Sequence, residues 1–162
     1  MAVWAGPPAI SLAEFATEIA GDHMTDIHPS GKRNFAWSVE MWANINPPGA
    51  ANQLHCHPGA MWSAVYYLDP GGSENPSGGG ELILEDPRFP SAYMNVPNLV
   101  LKMPDGQPIQ SQFAIRPEPG LLVMFPGWLR HSVKQHRGTR PRVSIALNLM
   151  VSPAPPDSQP PA

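Results

Sequence analysis

The stretch Phe35-Ala-Trp-Ser-Val-Glu-Met-Trp-Ala-Asn-Ile-Asn46 alternates with a period of two. Phe35, Trp37, Val39, Met41, Ala43 and Ile45 fall on one side of an extended chain, and Ala36, Ser38, Glu40, Trp42 and Asn44 on the other. Successive side chains of a strand point to opposite faces, so this is a long strand with one face turned towards a core. Pro47-Pro48-Gly49 breaks it. Working outward, further strand-like stretches occur at Met61 to Leu68, Glu81 to Glu85, Asn98 to Met103, Gln110 to Arg116, Gly120 to Phe125 and Arg142 to Val151. Turn-forming clusters lie between them: Asp69-Pro70-Gly71-Gly72, Ser77 to Gly80 and Pro117-Glu118-Pro119-Gly120. Many short strands at this spacing predict an all-β fold, a double-stranded β-helix or jelly roll.

On the N-terminal side, Ser11-Leu12-Ala13-Glu14 has the form of a capping box, and Leu12, Phe15, Ala16 and Ile19 recur at helical spacing. One or two short N-terminal helices are therefore expected, packed outside the barrel. The tail Ser152 to Ala162 is rich in proline and lacks large apolar side chains, which predicts disorder and leaves residues 1–151 as a single domain. A chain of 162 residues suits one core, and its 22 Pro and 14 Gly agree with many turns.

Charge and composition argue against several classes of partner. The formal net charge is -3 and the 10 Lys and Arg are thinly spread, so no basic stripe offers itself to nucleic acid. No apolar run approaches the ~20 residues that span a bilayer, and Met1 to Ile10 lacks a charged segment followed by an apolar one. The expected location is the cytoplasm. Cys56 is the single cysteine and has no internal partner, in keeping with a reducing compartment. Jelly rolls often pair through an exposed edge, so a homodimer is open, but no feature decides the oligomeric state.

The chemistry-bearing residues are histidines. His55 and His57 stand two apart in Asn52-Gln53-Leu54-His55-Cys56-His57-Pro58-Gly59, just before a strand. On extended backbone such residues share a side, so both imidazoles can reach one ion. His131 follows the apolar strand and turn Phe125-Pro126-Gly127-Trp128-Leu129-Arg130, where a jelly roll can return to the same end of the barrel. Alone, His-x-His also fits a surface pair; with His131 it predicts a transition-metal site, because imidazole suits Fe, Zn, Cu and Ni whereas Mg and Ca prefer oxygen. His23, His28 and His136 lie in polar or basic segments and read as solvated.

In the last strand Val143, Ile145, Leu147 and Leu149 take one face and Arg142, Ser144, Ala146 and Asn148 the other. Arg142 and Ser144, two apart on a barrel-lining face, can bind a carboxylate through the guanidinium fork and a hydroxyl. Ser63, Val65 and Tyr67 share a face of their own strand, so Tyr67 can add a second hydroxyl to the same anion. Trp62, Asp86, Arg88 and Trp128 flank strand ends near the histidines and are candidates for the mouth of the site, and Asn52 for orienting a ligand or substrate.

The run from Asn52 to Asn148 resembles the 2-oxoglutarate and Fe(II)-dependent oxygenase superfamily, in particular a small bacterial and phage-like group related to prolyl hydroxylases. The residues that carry the likeness are His55-Cys56-His57-Pro58-Gly59, Ser63 to Leu68, Gly80 to Arg88, Phe125 to His131 and Arg142 to Asn148. In such enzymes a His-x-Asp/Glu pair and a distal His hold the iron, and a basic residue shortly beyond the distal His grips the far carboxylate of 2-oxoglutarate. The resemblance implies His55 as first ligand, His131 as distal ligand and Arg142 as the basic residue. It implies an enzyme that uses Fe(II), 2-oxoglutarate and O2 to oxidise a small molecule or side chain, with succinate and CO2 as co-products.

One departure stands out, in that His57 occupies the position of the usual carboxylate. Either His57 is the second ligand, or a carboxylate such as Asp86 replaces it. The same residues also fit the cupin pattern G-x5-H-x-H, with Gly49 before His55 and Gly120 and Pro126 before His131. Met61 and Trp62 stand where the cupin glutamate would fall, and Trp128 replaces a glycine. A three-histidine cupin-type dioxygenase working without 2-oxoglutarate is the alternative, and a non-catalytic metal- or sugar-binding jelly roll is a third reading.

Overall fold

The computed structural model describes residues 6–27, 35–88 and 98–153. The elements in chain order are α1 (Gly6–Asp22), β1 (Phe35–Asn46), β2 (Asn52–His55), β3 (Trp62–Asp69), β4 (Leu82–Glu85), β5 (Gln112–Ile115), β6 (Leu122–Pro126), β7 (His131–Val133) and β8 (Arg142–Pro153). The strands form two four-stranded sheets, ordered β1-β8-β3-β6 and β2-β7-β4-β5. Every pairing is antiparallel. This interleaving of strands between two sheets is the predicted jelly roll.

β1 and β8 are in register over their whole length, from Phe35 opposite Pro153 to Asn46 opposite Arg142. The alternation read from the sequence is kept in both. Trp37, Val39, Met41, Ile145, Leu147 and Leu149 gather on the outer face. Trp42, Asn44, Asn46, Arg142, Ser144, Ala146 and Asn148 line a cavity between the sheets. β8 runs two residues past the expected boundary at 151, with Ser152 and Pro153 paired to Ala36 and Phe35. The rest of the tail, 154–162, lies outside the described residues.

Helix α1 covers the outer face, but it differs from the helix expected. It begins at Gly6, with Pro7 and Pro8 in the first turn, where a missing N–H costs nothing. Ser11 and Glu14 are therefore exposed mid-helix residues instead of a capping box. The buried stripe is Ala9, Ala13, Ala16 and Ala20, while Phe15 is 53% exposed. Small side chains let the helix backbone approach the sheet closely, and Ala16 and Ala20 pack directly against Ala64, Leu147 and Leu149. No described helix is long and apolar enough to cross a membrane.

Two further expectations are corrected. Asn98 to Met103 forms no strand, only an isolated bridge between Lys102 and Pro108 around the Pro104-Asp105-Gly106 turn. Leu99 and Leu101 remain exposed, so their alternation buries no face among the described residues. His136 is not solvated but 1% exposed. Its Nδ1 lies 2.7 Å from the Ser73 hydroxyl and its Nε2 2.6 Å from the carbonyl of Arg140. It pins the glycine-rich loop 70–80 against the loop before β8. That approach requires glycine, since a Cβ on Gly79, whose φ is +61°, would sit 2.1 Å from the Gln135 carbonyl oxygen. His28 lies outside the described residues. His23 is exposed and holds the Ile19 carbonyl.

His136→Ala removes a partner of the buried Ser73 hydroxyl and of the part-buried Arg140 carbonyl, and a lost partner costs ~1–3 kcal/mol where the group is left unsatisfied. Urea denaturation is expected to show a loss of about 2–4 kcal/mol, whereas a surface imidazole would cost less than ~0.5 kcal/mol.

Candidate metal and anion site

β2 and β7 are neighbours in the second sheet, and their pairing places His55 directly opposite His131. Both are strand residues, in two short strands that the sequence reading did not delimit. His57 lies just past the end of β2, where its backbone N–H donates to the Gly127 carbonyl at 2.8 Å. The three rings converge, with centroids 4.3 Å apart for His55–His131 and 5.1 Å for each of the other two pairs. One ring nitrogen from each lies within 4.8 Å of the others, a separation that one metal ion can bridge.

Local hydrogen bonds fix two of the rings. Nδ1 of His55 is 2.6 Å from the Gln53 carbonyl, and Nδ1 of His131 is 2.9 Å from the Leu129 carbonyl. A carbonyl only accepts, so both Nδ1 atoms carry a proton, which in the neutral ring leaves the lone pair on Nε2. His131 is 4% exposed, with the Phe125 ring edge-on at 4.6 Å. Burial lowers its pKa to about 4, helped by His55 and His57 and opposed by the hydrogen bond to Leu129. Burial, then the neighbouring His55, lowers that of His57. Among the described residues no carboxylate joins the cluster, and imidazole lone pairs are donors suited to a dication.

Asp86 takes no part in this cluster. It is held by Arg88, through the backbone N–H at 2.8 Å and the side chain at 2.5 Å, and the guanidinium contact lowers its pKa to about 2. The pair is absent from the cavity wall, as are Trp62 and Trp128. Trp62 points to the helix side, where its Nε1 donates to the Met24 sulfur at 3.2 Å. Trp128 is 61% exposed. The tryptophan that does line the cavity is Trp42, whose ring centroid is 6.3 Å from that of His57. Its place among the inward residues of β1 was visible in the alternation, but its role was not. Asn52 lies on the wall as well.

Arg142, Ser144 and Tyr67 meet on the same cavity wall. Tyr67 faces Ser144 across the β3–β8 ladder, and Asn46 faces Arg142 across β1–β8. Arg142 is 4% exposed; Nη1 donates to the Gly80 carbonyl at 3.0 Å and Nη2 to Asn46 Oδ1 at 3.2 Å. Its Nε is buried without a protein partner. Burial lowers the Arg142 pKa against the influence of Tyr67, and burial raises that of Tyr67 against the influence of Arg142. A buried cation with an unused donor beside two hydroxyls is a ready receptor for a carboxylate.

The chain matches the family described as "Putative 2OG-Fe(II) oxygenase" over residues 40–148. No curated protein matches it significantly. Among solved structures it is similar to a Pseudomonas putida prolyl-4-hydroxylase, with 24% identity and a TM-score of 0.48 over 69% of this chain and 52% of that one. It is also similar to a 2OG-Fe(II) oxygenase family oxidoreductase from Burkholderia pseudomallei, with 18% identity and a TM-score of 0.53 over 83% of this chain and 50% of that one. A cupin domain from Bordetella pertussis Tohama I aligns with 17% identity and a TM-score of 0.37 over 70% of this chain and 80% of that one. The chain thus spans about half the length of the two oxygenase structures. With more than half of its residues matched by the family, on a jelly roll that gathers three histidines and a buried arginine around one cavity, the chain belongs to the 2OG-Fe(II) oxygenases, enzymes whose cofactors are Fe(II) and 2-oxoglutarate.

Proposed function

We propose that the protein is a dioxygenase that hydroxylates a C–H bond of a small molecule or side chain, with His55, His57 and His131 holding Fe(II), and with Arg142, Ser144 and Tyr67 binding 2-oxoglutarate. The observation that carries this reading is the buried Arg142 with its unpartnered Nε, on the wall of the cavity that also holds the three histidines. When bound, the iron and 2-oxoglutarate supply the oxidising power, coupling O2 reduction and decarboxylation to oxidation of the substrate. The chain supplies position. The carbonyls of Gln53 and Leu129 hold two imidazoles in the tautomer that presents Nε2. Gly80 and Asn46 fix the guanidinium, so it meets an incoming carboxylate without reorganising.

Among the described residues no carboxylate joins the histidine cluster, which favours a second reading, the cupin-type enzyme that binds its substrate on the metal and uses no 2-oxoglutarate. Arg142 separates the two. Anaerobic titration of the Fe(II) protein with 2-oxoglutarate, followed by its visible charge-transfer band, is expected to saturate. Arg142→Ala is expected to weaken binding about 30-fold or more, since losing one partner of a buried charge pair costs ~2–5 kcal/mol. Iron binding without a band would favour the cupin-type reading; a band indifferent to Arg142→Ala would keep 2-oxoglutarate on the iron but take Arg142 out of its binding site.

The histidine cluster also sets a pH dependence for the metal-free protein. Folding lowers the His131 pKa from 6.5 to about 4, so the folded state binds fewer protons than the unfolded state between these values. The stability contribution is complete above pH 6.5 and is lost as pH falls through about 4. The urea midpoint is expected to fall over that window, and His131→Asn to fall less; parallel curves for the two proteins would contradict the assignment.

A further inference from the structure

We propose that Asn148 is the positioning residue of His57: its side-chain carbonyl accepts the Nδ1–H of His57 and thereby turns Nε2 to the metal. This rests on the proposed three-histidine centre and assigns a role that the position of His57 leaves undetermined. His55 and His131 each have a backbone carbonyl two residues earlier on Nδ1, at 2.6 and 2.9 Å. The neighbour of the His57 Nδ1 is instead the side-chain amide of Asn148, whose nitrogen is placed 3.4 Å away. The other end of that amide, Oδ1, is 3.1 Å from the Ser63 hydroxyl.

The two ends of an amide side chain have nearly the same shape, so the hydrogen-bond network decides the orientation. Ser63 is 2% exposed and does not discriminate, because a hydroxyl both donates and accepts. His57 does discriminate. With the amide nitrogen towards it, Nδ1 must accept, the proton moves to Nε2, and that nitrogen is lost as a ligand. With the carbonyl towards it, Nδ1 donates and all three rings present Nε2 to one centre. Asn148 Nδ2 then donates to Ser63, completing a chain from β3 through β8 to the ligand. The backbone supports this geometry, since Ser63 and Asn148 are direct cross-strand partners. The acceptor is neutral, so it orients the imidazole without drawing its proton away as a carboxylate would.

The test uses the full chain with Zn(II) as a diamagnetic probe. Long-range proton–nitrogen spectra of the nitrogen-15-labelled Zn(II) protein, with His57 assigned by comparison with His57→Gln, are expected to show Nδ1 protonated and Nε2 bound. Zn(II) affinity, from competition with a chromophoric chelator, is expected to fall about 10- to 100-fold in Asn148→Leu and to be retained in Asn148→Asp, which keeps an acceptor. A proton on Nε2 of His57, or Asn148→Leu binding Zn(II) as the native protein does, would overturn the proposal. His57→Ala separates the two levels. If it binds Zn(II) normally, the three-histidine centre itself fails; if it binds weakly while Asn148→Leu does not, only the role of Asn148 fails. Should Asn148→Leu not fold, the native spectrum decides alone.

Discussion

The pleat of β8 is the constraint on which the site depends. A strand sends alternate side chains to opposite faces, and β8 lies between β1 and β3 in one sheet. Leu147 and Leu149 therefore meet α1, while Arg142, Ser144, Ala146 and Asn148 enter the cavity. A register slip of one residue would exchange the two sets, burying the arginine against alanines and turning leucines towards the histidines. The outer apolar packing thus fixes the orientation of the inner polar wall. The alanine stripe of α1 belongs to the same arrangement, because its close approach holds the β8 register against slippage.

The electrostatics of the cavity follow from what it omits. Among the described residues the histidine cluster contains no carboxylate, and the charged side chain on the cavity wall is the buried Arg142. Such a cavity favours an anion at the guanidinium and, in the proposed centre, at a metal whose charge imidazoles do not neutralise. With His57 in the position of an acid, the proposed metal centre is one negative charge poorer. The clasp of Ser73, His136 and the glycine-rich loop supports this from behind, since that loop supplies the Gly80 carbonyl that holds Arg142.

Much of this was legible in the sequence because it rests on period-two patterns. The long strands β1 and β8 announced both their faces, and the spacing of His55, His57 and His131 announced their convergence. That Arg142, Ser144 and Tyr67 share one wall followed from phase alone. What escaped had other causes. β2 and β7, at four and three residues, are too short to show a period, so neither was delimited as a strand. α1 uses alanines, which a search for large apolar residues passes over, and its start is set by prolines upstream of a convincing but unused capping box. His136 looked solvated because its chain neighbours are basic, whereas its partners Ser73 and Arg140 come together only in the folded loops. Trp62 and Trp42 show the limit of reasoning from proximity in sequence, since strand face decides which of them reaches the cavity. Asn98 to Met103 alternates without burying a face among the described residues, and forms no strand.

The central claim is that three histidines share one metal while Arg142 receives the far carboxylate of 2-oxoglutarate. Its most direct test is an anaerobic crystal structure of the protein with Mn(II), as a redox-stable stand-in for Fe(II), and 2-oxoglutarate. The account requires one metal bound by a nitrogen from each of His55, His57 and His131, with a carboxylate on the Arg142 guanidinium. A metal bound by fewer than three of these histidines, or 2-oxoglutarate seated away from Arg142, would contradict it.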